Sequence, residues 1–173
     1  MKIQYAFQDG LKKIIETKPL EEINVVMLCD EVDSNRQTFY YHFRDIADVV
    51  ESIFLRDLNL IGKRINDYDS ALKEMINYIN TNYKFVEAIN KSYASDRFES
   101  FMYSYFYMKI GTLLKNHNIV GLDMVRYISV LSAHELAFWV ASKKKERAQL
   151  LQKRLTTIWR YLVNQYQSDL KRD

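Results

Sequence analysis

Phe7, Leu11, Ile14 and Ile15 stand at i, i+4, i+7 and i+8, the spacing of one face of an amphipathic helix. The stripe ends at Thr17-Lys18-Pro19, because a residue before proline avoids helical geometry. Asn24 is a good helix cap, and behind it Val25, Leu28, Cys29 and Val32 predict a short second helix. Asp33-Ser34-Asn35 then bring turn chemistry and another cap, opening a third helix through Thr38 to about Tyr41. From Ile46, the apolar series Val49, Val50, Ile53, Phe54, Leu58, Ile61 and Ile65 predicts one fourth helix over 46–65. After the polar break 66–70, helical stripes recur at Leu72–Ile79, around Val86 and Ile89, and from Phe98 to Leu113. Two final helices are predicted over 121–142 and about 145–168.

No strand alternation interrupts this series. Composition agrees: among 173 residues there are only 4 glycines and 1 proline, and 48% of the residues are hydrophobic against 27% charged. Chains with few breakers and that balance fold as globular helical proteins. The predicted class is all-α: an N-terminal helix-turn-helix unit of three short helices (1–45), a linking fourth helix (46–65) and a larger C-terminal helical bundle (66–173).

The segment NRQTFYYHFRD (35–45) sets the candidate chemistry. Three short helices with a tight turn between the second and third describe a helix-turn-helix, whose third helix enters the DNA major groove. Arg36, Gln37 and Thr38 are residue types that read base edges, arginine at guanine and glutamine at adenine. Tyr40, Tyr41 and His42 suit phosphate contacts, which position a protein without reading sequence. Phe39 and Phe43, four apart, share the opposite face and lock the helix onto the first two. Asn24 and Asn35, at the two helix starts, complete the candidate DNA-binding set.

Thr38-Phe39-Tyr40-Tyr41-His42-Phe43 resembles, position by position, the DNA-binding signature of the TetR/AcrR family of transcriptional regulators. Asn24 at the cap and Leu28-Cys29 fit the upstream frame, so the resemblance covers about residues 3–55. The wording RQTFYYHFRDI also resembles a subgroup that includes activators of dihydroxyacetone-kinase operons. Three departures stand out. Asp33-Ser34 replaces the frequent Gly-Val of the turn, Ile46 occupies the place of a phosphate-contacting lysine, and a basic arm before the first helix is missing. The front is also slightly acidic: six Lys/Arg against eight Asp/Glu up to Asp45, in a chain of net charge +3. The surplus positive charge lies late, in KKKER (143–147) and KR (171–172). Lysines and arginines on phosphates supply non-specific affinity, so that affinity is expected to be weak.

For the remainder, the resemblance implies a homodimer built by the last two helices and a small-molecule pocket between the DNA unit and that interface. The small residues Ser129, Ala133, Ala137 and Ala141 form a ridge on which another helix can approach closely, with Phe138, Trp139, Ile158 and Trp159 as interface anchors and Leu162 beside them. The same ridge could instead pack inside one chain. Tyr78, Phe98, Phe101, Met102, Tyr105 and Phe106 are the candidate pocket lining, suited to an apolar or aromatic ligand. The other reading of that aromatic-rich region is a filled core with a protein co-regulator docking on its exposed tyrosines.

Catalysis is not expected. His42, His117 and His134 lack zinc-site spacing, Cys29 is single and reads as a buried packing residue, and no glycine-rich loop cradles phosphate. No metal or cofactor is expected, and no apolar run approaches the ~20 residues of a membrane span. With no signal peptide at the start, the expected location is the cytoplasm. The reading is a one-component regulator that binds a near-palindromic, double-stranded operator as a homodimer. The alternative is a non-catalytic interaction module that keeps the helix-turn-helix fold without binding DNA.

Overall fold

The computed structural model describes residues 2–61, 67–116 and 122–169. These form α1 (Lys2–Ile15), a single 3-10 turn (Leu20–Glu22), α2 (Val25–Glu31), α3 (Arg36–His42) and α4 (Ile46–Leu58). There follow α5 (Tyr68–Thr81), α6 (Tyr83–Asn90), α7 (Ser95–Asn116), α8 (Leu122–Ala141) and α9 (Ala148–Asp169). Among the described residues there is no strand, so the fold is all-α. Residues 1–59 and 82–98 form one compact unit, and 60–81 with 99–173 form a second.

The first unit is built on three rings. Phe7 of α1 meets Phe39 edge-on at 5.4 Å and Phe43 at 6.0 Å, and all three are buried. Each such ring contributes roughly 1.5–3 kcal/mol by leaving water. Gly10 lets α1 and α2 approach: a Cβ there would lie 2.5 Å from Val32 Cγ1. A second cluster joins Phe54 of α4 to Phe85 and Phe98 at 5.5 and 5.9 Å. Polar ties run beside it. Lys12 donates to Asp57 at 3.1 Å and to Asn82 at 3.2 Å, and Arg56 reaches Asp9 at 3.0 Å.

The fourth helix is shorter than its apolar series predicts. It stops at Leu58, where the Asn59 side-chain amide turns back to the Leu55 carbonyl at 3.0 Å. This local bond competes with continued helix. Leu60, just beyond this end, is exposed. Ile65 lies outside the described residues.

In the second unit Asp67 caps α5, accepting from the Ser70 N–H at 2.7 Å. The Tyr68 ring stacks on Trp159 with centroids 4.5 Å apart, and its hydroxyl lies 2.6 Å from Ser132 Oγ. Since the Ser132 hydroxyl donates to the Ile128 carbonyl, Tyr68 is the donor in that pair. Thr156 of α9 donates to Asp69 at 2.8 Å, and Trp139 Nε1 donates to the Glu146 carbonyl at 2.8 Å. Helix α8 closes with the Lys143 and Lys144 N–H groups on the carbonyls of Val140 and Trp139, each at 2.9 Å. That pairing satisfies the last carbonyls of a helix through a left-handed residue.

Candidate nucleic-acid interface

Helices α2 and α3 are each started by an asparagine. Asn24 Oδ1 accepts from the Met27 N–H at 3.1 Å, and Asn35 Oδ1 accepts from the Thr38 N–H at 2.9 Å. Between them the chain turns tightly, with the Ser34 N–H on the Cys29 carbonyl at 2.9 Å. Asp33 makes this turn with φ 50°, in the left-handed region where glycine is preferred. An aspartate tolerates that geometry better than most side chains, so the missing glycine does not abolish the turn.

Helix α3 has two unlike faces. Phe39 and the capping residue Phe43 are buried, while Arg36, Gln37, Tyr40 and Tyr41 are exposed, Tyr40 at 59% and Tyr41 at 84%. The Tyr41 and His42 rings meet edge-on at 4.8 Å, and His42 is half-buried. Thr38 is half-buried too, and its hydroxyl donates to Asn35 Oδ1 at 3.2 Å. The oxygens of Asn24 and Asn35, and the Thr38 hydroxyl proton, are therefore engaged in caps. Both asparagines are exposed at the helix starts. The side chains presented outward without such a cap bond are Arg36, Gln37, Tyr40 and Tyr41.

Arg44, absent from the sequence-derived set, stands at the α3–α4 junction. Its guanidinium binds Asp48 at 3.2 Å, and its own N–H bonds the same carboxylate at 2.9 Å. Asp48 is held below the usual carboxylate range chiefly by the Arg44 side chain, against the opposing effect of burial. The signal was the i, i+4 spacing of Arg44 and Asp48. Cys29 is buried, and that burial pushes its thiol up.

Positive charge outside ion pairs is scarce along residues 1–59. Residues 1–59 hold seven Lys/Arg against eleven Asp/Glu, a net −4. Lys12, Lys13, Arg44 and Arg56 are paired with Asp57, Glu31, Asp48 and Asp9. Lys2, Lys18 and Arg36 remain without an ion pair among the described residues.

The residues predicted to line a ligand pocket are all buried. Phe98 belongs to the first unit, against Phe54. In the second unit Tyr78 packs on Phe101 at 5.0 Å and Tyr105 on Phe106 at 5.2 Å, with Met102 also buried. The Tyr105 hydroxyl donates to the Ala71 carbonyl at 3.1 Å and lies 3.2 Å from Glu74, and burial with this carboxylate pushes its pKa up.

The small-residue ridge divides. Ser129, Ala133 and Ala137 are buried within the single chain, because the face of α8 that carries them is turned to its own core. These three present little surface of their own, as does Trp139, whose Nε1 donates to the Glu146 carbonyl. Phe138 and Ala141 are exposed, and Ile158, Trp159 and Leu162 are half-buried. The outward stripe of α8 is Tyr127, Val130, His134 and Phe138, with Tyr127 65% and Phe138 66% exposed.

Among the described residues no helix is long and apolar enough to cross a membrane, and no cluster of His, Cys, Asp and Glu could hold a metal ion. No protein-family model matches the sequence, and no curated protein matches it significantly. Among solved structures the chain is similar to the "Dihydroxyacetone kinase operon activator DhaS", with a TM-score of 0.68 and 18% sequence identity. The similarity spans 95% of this chain and 96% of that one. At this level of identity what is shared is the fold.

Proposed function

We propose that the protein is a one-component transcriptional regulator that binds a near-palindromic operator as a homodimer. One observation carries the reading: α3 turns Arg36, Gln37, Tyr40 and Tyr41 to solvent while Phe39 and Phe43 fix its other face to α1. A rigidly seated helix with base-reading and phosphate-binding side chains outward is what major-groove recognition requires. Arg36 reads guanine and Gln37 reads adenine; Tyr40, Tyr41 and His42 hold phosphates, beside the capped helix starts at Asn24, Asn35 and Thr38. The likeness to a solved operon activator supports the same reading.

Dimerisation is assigned to the outward face of α8, with Phe138 as its anchor, and to the half-buried Ile158, Trp159 and Leu162 of α9. A two-fold protein then meets a two-fold operator. Control by a small apolar ligand or by a protein co-regulator, and the choice between repression and activation, belong to the same proposal, as does a cytoplasmic location. The competing module that binds only protein is favoured by one observation, the net −4 of residues 1–59. Selection from a random-sequence duplex pool decides between them. Enrichment of an inverted repeat, with Arg36→Ala costing about 1–3 kcal/mol and relaxing one base position, supports the regulator. A pool that stays random after selection rejects it.

A further inference from the structure

Charge is divided unevenly along the chain. Residues 60–81 and 99–173 hold fifteen Lys/Arg against nine Asp/Glu, a net +6 in a protein of +3 overall. Part of this surplus collects where α8 turns into α9. Lys143, Lys145, Arg147 and Lys153 are exposed there and carry no ion pair among the described residues. The nearby acids are already engaged: Arg154 binds Glu135 at 2.7 Å and Glu146 at 2.9 Å. Lys144 is fixed, donating to Asn80 at 2.9 Å with its ammonium 5.7 Å from the centre of the Trp139 ring.

The backbone of this turn adds a second, independent observation. Lys143 and Lys144 both have positive φ, 57° and 53°. The first of these positions is the one that helix ends usually give to glycine, since a Cβ is strained there. Lysines held in such geometry mark a place where folding preference yields to another requirement. Leu150, 56% exposed on the first turn of α9, stands in sequence between Arg147 and Lys153.

We propose that the α8–α9 turn is a docking site for an acidic segment of a partner protein, its carboxylates on Lys143, Lys145, Arg147 and Lys153 and one apolar side chain on Leu150. A protein fits better than a nucleic acid. The cations gather around one turn with an aliphatic side chain among them, whereas a single strand asks for a basic track with aromatic rings on which bases stack. Carboxylates at the rim of such a contact govern encounter and specificity.

The test uses the full chain and a fluorescein-labelled helical peptide with glutamates flanking one leucine face, followed by anisotropy. Lys145→Glu with Arg147→Glu should weaken binding by about tenfold or more, and Leu150→Ser should weaken it at unchanged salt dependence. Lys143→Gly is the sharpest variant: it should raise the melting temperature by relieving the left-handed strain, and weaken peptide binding. Opposite movements of stability and binding are not expected of a lysine retained for folding. The proposal is overturned if a peptide of equal charge with serines in place of the leucines binds as tightly. It is also overturned if a non-operator DNA duplex competes with equal strength at these residues. Self-association in sedimentation that the charge reversals abolish would assign the site to a second copy instead, and peptide binding unchanged in Lys143→Gly would remove the argument from strain.

Discussion

Asn35 Oδ1 accepts two hydrogen bonds from one residue, the Thr38 N–H at 2.9 Å and the Thr38 hydroxyl at 3.2 Å. This cap starts α3, so the residue that fixes the helix also stands at the edge of the face proposed to read DNA. Asn35→Ala should destabilise the protein by about 1 kcal/mol, measured by urea denaturation. Asn35→Asp separates the two roles. It keeps an acceptor favoured at a helix start and should retain stability, yet it places a negative charge against phosphate and should weaken operator binding. An aspartate variant that binds the selected operator as well as the parent would remove Asn35 from the interface.

Gly10→Ala should destabilise the protein by about 1–3 kcal/mol, although alanine is the better helix former. Its Cβ would sit 2.5 Å from Val32 Cγ1 and 3.3 Å from Leu28 Cδ1. The branched Val32 side chain cannot swing aside freely. Adding Val32→Ala should recover part of the loss, so thermal melts of the single and double variants should be non-additive. Additive losses would place the strain elsewhere.

Operator binding should depend only moderately on salt. With Lys2, Lys18 and Arg36 as the cations of residues 1–59 outside ion pairs, a dimer neutralises few phosphates. Plotted as log affinity against log salt concentration, the slope should be no steeper than about −5, from roughly −0.9 per phosphate neutralised. Anisotropy on the selected operator across a potassium chloride series checks this. A much steeper slope would mean that paired residues such as Arg44 leave their carboxylates on binding DNA.

Acid should act on the α3–α4 junction through Asp48. Its folded pKa is lowered by Arg44, so its contribution to stability is present above the ordinary aspartate value of about 3.9. That contribution is lost as pH falls through the lower folded value. Asp48→Asn should therefore be less stable than the parent at neutral pH and converge with it in acid. Parallel denaturation midpoints down to the acid limb would show that the pair contributes nothing.

The aromatic core of the second unit carries the ligand question. Phe101→Ala should change the response to an apolar inducer and leave operator affinity without inducer intact. Tyr105→Phe removes bonds to the Ala71 carbonyl and Glu74 and should lower stability by about 1–2 kcal/mol. If a screen of apolar compounds neither raises the melting temperature nor releases DNA, control passes to the co-regulator. Ligands with equal affinity for both states shift nothing, so melting and release are both needed.

Most helices were legible because apolar residues recur at helical spacing, and both caps at Asn24 and Asn35 were legible because asparagine favours helix starts. The early end of α4 was not. The apolar series runs on through Ile61 and Ile65, whereas the helix end depends on the Asn59 amide finding the Leu55 carbonyl, a competition periodicity does not register. The buried side of α3 was legible in Phe39 and Phe43, whereas Thr38 and His42, grouped with its outward residues, are half-buried. The packing direction of the small ridge of α8 was not legible. Ser129, Ala133 and Ala137 permit close packing in any direction, and only tertiary contacts decide whether the neighbour is the same chain or another. Arg44 escaped notice because its partner, Asp48, lies in the next predicted element.

The stacking of Trp159 on Tyr68 and the hydrogen bond of Trp139 to the Glu146 carbonyl have a spectroscopic consequence. These are the chain's 2 tryptophans, and both lie in the second unit, leaving residues 1–59 and 82–98 with tyrosine and phenylalanine as their rings. Tryptophan emission thus samples the second unit, while tyrosine and phenylalanine are the rings of the helix-turn-helix. Melting of each unit can therefore be followed separately, by circular dichroism for the whole chain and by tryptophan emission for the second unit. An operator-dependent change in tryptophan emission would report a change in the surroundings of Trp139 or Trp159 in the second unit. The unmodified protein carries its own label for the second unit.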